Sequence, residues 1–318
     1  MAYELATSVN LTYDFTCKQP FLTGVERIIN AGFTNLDYNF LDMMSGSERF
    51  WDDDYKEWMY ECKEFVEKKG ARWVQAHSMC LGYQKGYEAY VKSIMRSIEC
   101  CAYLGIDWTV CHIVTNPDRV FNDNTPSTEF NYRMFSELLE VAEKYDVGIA
   151  VENSTDFPLF SDHGVNTSTE QLIEFVDSFK SDHVGICWDI GHANINALLK
   201  GYEHVATSQS TELKKVGNRL KATHVHDNNA KKAGINAGFK INGTGLNQHT
   251  MYDEHVQPYM GTVDWDDIIY GLDSINYNHF FTYETHTSTR PLPDEMVDDE
   301  MSFLYKLGQH LVGQSKLK

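Results

Sequence analysis

The residues able to do chemistry in this chain recur at regular intervals: His77, His112, Glu152, Asp189, the His224-Val225-His226-Asp227 run and Glu284. Each closes a short apolar run of strand length, so a fold that gathers strand ends would bring imidazoles and carboxylates together. One such residue at a strand end is ordinarily structural or solvated, but six in succession are not independent accidents. Glu152, Asp189 and Glu284 with one imidazole make a mixed nitrogen and oxygen donor set. That set suits an open site for one divalent ion, manganese first, with Co²⁺, Fe²⁺, Mg²⁺ or Zn²⁺ as alternatives, rather than Ca²⁺ or a thiolate centre. The competing reading, a ring of paired polar residues capping a core, leaves carboxylates buried without a cation, which is costly.

The elements that must position these groups are eight strand-like runs, at 4–10, 33–38, 72–77, 107–113, 147–153, 184–189, 220–226 and 279–284. Helical periodicity separates them, at 24–31, 55–69, 87–104, 128–145, 169–179, somewhere within 193–217, at 265–275, and finally at 294–311. Thr167 and Glu170 have the spacing of a capping box opening the fifth helix. Eight consecutive βα units predict a (β/α)8 TIM barrel, whose chemistry sits at the C-terminal ends of its strands. A doubly wound sheet is the competitor, but no Gly-rich phosphate loop follows the first strand. No repeat or linker divides the chain, so one domain is expected over 1–318, with an inserted loop at about 228–263. That segment carries Gly234, Gly238, Gly243, Gly245 and Gly261 beside Tyr252, Tyr259 and Met260, and reads as a lid or partner surface that decides the substrate. Trp108, Trp188, Tyr38 and Phe157 read first as core, and second as platforms for a sugar ring.

With 318 residues, 42% hydrophobic and 13% aromatic, the chain has apolar area for a substantial core. Its net charge of −19 repels a phosphate backbone and an anionic membrane alike, so neither is expected as a partner. Seven scattered cysteines without a C-x-x-C pair suit reduced thiols. The start lacks a signal-peptide pattern, and no apolar run nears the roughly 20 residues of a membrane span, so a cytoplasmic location is expected.

Several motifs carry a resemblance. They are Val151-Glu152-Asn153, Cys187-Trp188-Asp189-Ile190-Gly191-His192-Ala193-Asn194, His224-Val225-His226-Asp227-Asn228, Asp253-Glu254-His255 with Gly261-Thr262-Val263-Asp264-Trp265, and Tyr283-Glu284-Thr285-His286. Together they resemble the sugar phosphate isomerase/epimerase superfamily with its xylose-isomerase-like barrel, which also contains ketose 3-epimerases and endonuclease IV-type enzymes. The resemblance implies metal ligation by Glu152, Asp189, His224 and Glu284, with His224 favoured over His226 because the family's ligand histidine sits in H-x-x-D/E. It implies substrate contacts from His192, and by extension from His77, His112, His226 and His255. Glu152 and Glu284 would be the catalytic pair, one removing and the other returning a proton beside a metal-bound carbonyl, which is isomerisation or epimerisation. Two alternatives share the barrel. One is a C-glycoside deglycosidase catalytic subunit, a lyase working with a small partner subunit. The other is an endonuclease IV-like phosphodiesterase, for which His77, His112, Glu152, Asp189, His192, His224, Asp253, His255 and Glu284 occur in that family's order. The expected partners are a small carbohydrate or glycoside and either a second copy of the chain or a small subunit. Pro258-Tyr259-Met260-Gly261 stands where relatives carry P-G-x-G, so substrate identity does not transfer.

Overall fold

A computed structural model describes residues 3–9, 21–40, 49–79, 86–154, 165–166, 168–199, 208–228, 253, 255–285 and 292–317. Its strands are β1 (Glu4–Ser8), β2 (Asn35–Asn39), β3 (Arg72–His77), β4 (Trp108–Cys111), β5 (Gly148–Glu152), β6 (Val184–Asp189), β7 (Leu220–His224) and β8 (Phe280–Tyr283). All pair in parallel, in the order β7-β6-β5-β4-β3-β2-β1-β8. A parallel bridge from Val225 to Tyr283 joins the two ends, with Val225 N–H donating to the Thr282 carbonyl at 2.8 Å. The (β/α)8 barrel is therefore nearly closed. His224 ends β7, while His226 and Glu284 lie just beyond the regular strands, in this closing stretch.

The helices are α1 (Phe21–Asn30), α2 (Tyr55–Lys68), α3 (Tyr87–Leu104), α4 (Pro117–Phe121), α5 (Ser127–Tyr145), α6 (Thr169–Ser178), α7 (Ile190–Leu199), α8 (Gln209–Val216), α9 (Trp265–Ser274) and α10 (Asp294–Val312). The single helix expected within 193–217 is two, α7 and α8, and α4 is an extra turn after β4. The capping box is corrected as well. Thr167 lies outside the described residues, and α6 has Ser168 at its N-cap position, where the side chain makes no cap bond to the backbone and instead donates to Glu170 Oε2 at 3.3 Å.

Side chains alternate along each strand, and that alternation builds the interior in layers. Trp108, Val110 and His112 share one face of β4 and its extension, as do Gly148, Ala150 and Glu152 on β5. Gly185, Cys187 and Asp189 do the same on β6, and Ala222 and His224 on β7. Val110, Ala150, Cys187 and Ala222 form a small core of their own with Trp108, separate from the main core between sheet and helices. The layer of Val110, Ala150, Cys187 and Ala222 thus lies above the one indole at the bottom, and the top layer carries the carboxylates and imidazoles. A Cβ at Gly148 would lie 2.4 Å from the Trp108 ring. Gly148→Ala is expected to cost about 1–3 kcal/mol by overpacking, seen as a lower urea midpoint at unchanged slope; a wild-type midpoint would show that the indole can move aside.

Three of the four aromatics are core, the first reading of them, and not sugar platforms. Tyr38 packs against Phe21 and Trp73, Trp188 donates its indole N–H to Gln209 Oε1 at 3.0 Å, and Trp108 sits two layers below the site. Phe157 lies outside the described residues, as do Tyr252, Glu254, His286 and most of the 228–263 segment. Among the described residues, no helix is long and apolar enough to cross a membrane.

Candidate metal centre

Local structure explains why the motifs have their spacing. Asp189 ends β6 and α7 begins at the next residue, so Asp189 Oδ1 accepts the backbone N–H of His192 at 2.6 Å, as an N-cap does three residues ahead. Asn153, after β5, clamps that junction. Its side chain accepts from Asp189 N–H at 2.6 Å and donates to the Asp189 carbonyl at 2.9 Å. Asp227, the acid of the H-x-x-D spacing that favours His224, has its carboxylate engaged elsewhere. It accepts the backbone N–H groups of Asn228, Tyr259 and Val263 and the indole N–H of Trp265, at 2.8 to 3.1 Å. Asp227 also forms an antiparallel bridge to Val256. This clasp docks the returning chain on the end of β7 and brings Asp253 and His255 over the barrel mouth. Gly261 fits the clasp because a Cβ there would lie 2.2 Å from the Asn228 carbonyl.

The positioned side chains form three adjoining groups. The central one is Glu152, Asp189, His224 and Glu284, all buried, the four residues expected to ligate the ion. His224 Nδ1 lies 3.0 Å from Glu152 Oε1, 3.3 Å from Glu284 Oε2 and 3.9 Å from Asp189 Oδ2. On one side His77 and His112 join Glu152; His112 Nε2 is 2.7 Å from Glu152 Oε2, and the two imidazole Nε2 atoms face each other at 3.0 Å. On the other side lie His192, His226, Asp253 and His255, with Asp253 Oδ2 3.2 Å from His192 Nε2 and 2.9 Å from His255 Nε2. The structure therefore brings every candidate site residue into one contiguous cluster.

Three of the histidines have their tautomer fixed by backbone. Nδ1 of His77, His192 and His255 lies 2.9, 2.9 and 2.8 Å from the carbonyls of Ser78, Asn153 and Glu284. A carbonyl only accepts, so Nδ1 carries the hydrogen and the neutral ring offers an Nε2 lone pair to the neighbouring carboxylate or imidazole. Lone pairs aimed at carboxylates call for cations between them. Among the described residues, no Lys or Arg ion pair reaches Glu152, Asp189, Asp253 or Glu284. The donor chemistry fits divalent ions, with the hard and borderline character expected of oxygen and imidazole ligands.

Without such ions, protons must do the same work. Burial opposes charge on His224, but Glu284 and Glu152 outweigh it and lift the imidazole to about 10. Asp253 likewise overcomes burial at His255, lifting it to about 9, and Asp189 and Asp253 hold His192 well above its ordinary value. Burial would raise the carboxylates, yet His224 and His112 hold Glu152 well below the usual range, and His255 and His192 do so for Asp253. His77 goes the other way: burial, then His112, push it down to about 4.

Asp37 belongs to this site and escaped the sequence reading. It lies on β2 in register with Ser8 on β1 and Gln75 on β3, and Gln75 Oε1 accepts from Thr282 of β8 across the barrel at 3.2 Å. Burial raises Asp37 to about 7, with His224 opposing and Glu284 adding to the rise. Being one layer below the strand ends, it carried no positional signal except an acid in the middle of a buried strand.

Known proteins share this architecture. The chain is 25% identical over 201 residues to the uncharacterized protein y4fM of Sinorhizobium fredii, covering 61% of this chain and 52% of that protein. It is 27% identical over 195 residues to the uncharacterized protein MJ1311 of Methanocaldococcus jannaschii, covering 61% and 56%. It thus spans about half the length of the curated relatives it matches. Among solved structures it resembles a D-tagatose 3-epimerase-like protein (TM-score 0.65, 18% identical, 99% of both chains) and the IolI protein with a zinc atom (0.69, 17%, 99% and 100%). It also resembles the 3-keto-D-glucoside 4-epimerase YcjR from E. coli (0.63, 16%, 96% and 99%). At such identities the likeness is one of fold. The nearly closed parallel barrel and a match to the family's model over residues 31–307 together establish that the chain belongs to the xylose isomerase-like TIM barrels.

Proposed function

We propose that the chain is a divalent-metal-dependent isomerase or epimerase of a carbohydrate, with Glu152, Asp189, His224 and Glu284 as ligands. The observation that carries this reading is the approach of Glu152 and Glu284 to one imidazole nitrogen, at 3.0 and 3.3 Å, from strands β5 and β8. When bound, the ion supplies Lewis acidity that makes a C–H beside a substrate carbonyl easier to ionise. Glu152 and Glu284 then face that carbon from two directions, so one carboxylate accepts the proton and the other returns it. His112, His192 and Asp253 lie nearer solvent than the central group and are suited to hold substrate hydroxyls.

A second reading has its own observation. The central and two flanking groups together place nine family-ordered donors in three adjoining sets, the arrangement expected of a three-ion phosphodiesterase of the endonuclease IV type. The charge of −19 opposes a nucleic-acid substrate. Metal analysis of the purified chain separates the two: one tightly held ion per chain is expected for the carbohydrate reading and three for the other. Incubation with ketoses in D₂O should place deuterium at the carbon beside the carbonyl. Three ions with turnover of a phosphodiester, and no deuterium in any sugar, would overturn the first reading.

A further inference from the structure

Asp227 is fully buried just past the end of β7, yet its carboxylate has nothing left to give an ion or a substrate. Oδ1 accepts the backbone N–H groups of Asn228 and Val263, and Oδ2 accepts the backbone N–H of Tyr259 and the indole N–H of Trp265. Two donors on each oxygen fill the lone-pair sites that a carboxylate offers. A buried charge satisfied in this way acts through the elements its donors belong to. Apart from the adjacent Asn228, these are the returning segment 255–263 and the first residue of α9.

That segment is held against strain. Met260 N–H donates to the Gln257 carbonyl at 3.2 Å, closing a turn with Pro258 and Tyr259 at its corners. Tyr259 takes a φ of 71° there, the left-handed conformation for which a turn after proline ordinarily uses glycine, and His255 takes 42°. The strained Tyr259 is also the residue whose N–H Asp227 Oδ2 holds, at 3.0 Å. Asp227 and Val256 share two backbone bonds, at 2.8 and 3.1 Å, and Thr262 N–H donates to the Asn228 carbonyl at 3.0 Å. Asn194 Nδ2 reaches both Asn228 Oδ1 and Thr262 Oγ1. Every one of these bonds is made by the chain to itself and uses no ligand.

We infer that Asp227 is a positioning residue: through this clasp it keeps 255–263 as a fixed lip of the barrel mouth and presents Asp253 and His255 to a bound carbohydrate, without touching it. The lid expected over 228–263 is, in its described part, a lip that stays in place. The role in substrate binding rests on the carbohydrate reading of the site; the fixed lip does not.

The test is amide hydrogen exchange of the metal-free chain, read by mass spectrometry in peptides covering 255–263, with and without Mn²⁺. In the wild type these amides are expected to exchange slowly in both states. Asp227→Asn turns one acceptor oxygen into a donor that faces two N–H groups. Gly261→Ala opens the clasp from its other side, because its Cβ would lie 2.2 Å from the Asn228 carbonyl. Either variant should speed exchange by roughly 10–100-fold, the effect of losing a bond to a charged group, and the Ala variant stands alone if the Asn variant does not fold. On a ketose that the wild type converts, KM should rise roughly tenfold with kcat within about threefold, a split that loss of folded protein alone does not give. Wild-type exchange in both variants would remove Asp227 as the holder of the segment. Amides that are fast in the metal-free wild type and slow only with Mn²⁺ would make the segment a lid. An unchanged KM beside fast exchange would take the lip out of substrate binding. Conversion of no ketose by the wild type would instead overturn the carbohydrate reading, while the exchange rates still decide the lip.

Discussion

Glu284→Gln is expected to lower turnover by roughly 10²–10⁴-fold, the usual worth of a general acid or base, while weakening the ion far less than Glu152→Gln does. The asymmetry follows from the neighbours of each carboxylate. Glu284 has two imidazole contacts at the rim of the central group, His224 at 3.3 Å and His255 at 3.6 Å. Glu152 is shared by two groups, 2.7 Å from His112, 3.0 Å from His224, 3.5 Å from His192 and 3.8 Å from His77. Amidation of Glu152 removes the negative charge that all four imidazoles face, so turnover and metal content should fall together, with ion affinity down on the order of 10²-fold. Rates on a panel of ketoses, with metal content measured on the same samples, read both effects. Equal metal loss in the two variants would mean that Glu284 is only a ligand. Full activity in Glu284→Gln would end its role in proton transfer.

The barrel was legible because its strands obey two simple rules at once. In β5 and β6 every residue is buried, as in parallel sheets covered on both sides, and the last inward position of each is an acid. That pattern is visible without a structure. The tips His77, His112, Glu152, Asp189, the His224–Asp227 run and Glu284 were therefore recoverable from spacing alone. What spacing could not supply was division of labour. Asp227 looks like a partner for His224 three positions on, yet its carboxylate is fixed by Tyr259, Val263 and Trp265, which are distant in sequence. His226 looks like a second inward imidazole, and only the contacts with Gly191 and His255 show how its ring is held. Asp37 was missed because an interior layer is defined by register between β1, β2 and β3, which no single strand reveals.

The metal-free chain is expected to lose stability as pH rises from about 7 to 10, and a bound divalent ion should abolish that loss. His224 and His255 have folded values of about 10 and about 9 against an unfolded imidazole near 6.5. A group raised in this way contributes stability that is fully present below the unfolded value and disappears as pH climbs through the folded one. Glu152, Asp189 and Asp253 are depressed, so their contribution holds at neutral pH and fails only as acid protonates them. The upper side of the window is thus set by imidazoles and the lower side by carboxylates, with His77 at about 4 adding to the acid loss because it folds neutral. An ion substitutes for the imidazole protons, since its ligands must be deprotonated. Uptake at pH 7 should then release protons, detected as a binding enthalpy that changes with the ionisation heat of the buffer. The midpoint of thermal unfolding should fall by on the order of 5 °C or more between pH 7 and 10 without metal, and stay nearly level with it. A metal-free midpoint that is flat across that range, or binding with no proton release, would show that these histidines are neutral before the ion arrives and that the carboxylates alone recruit it.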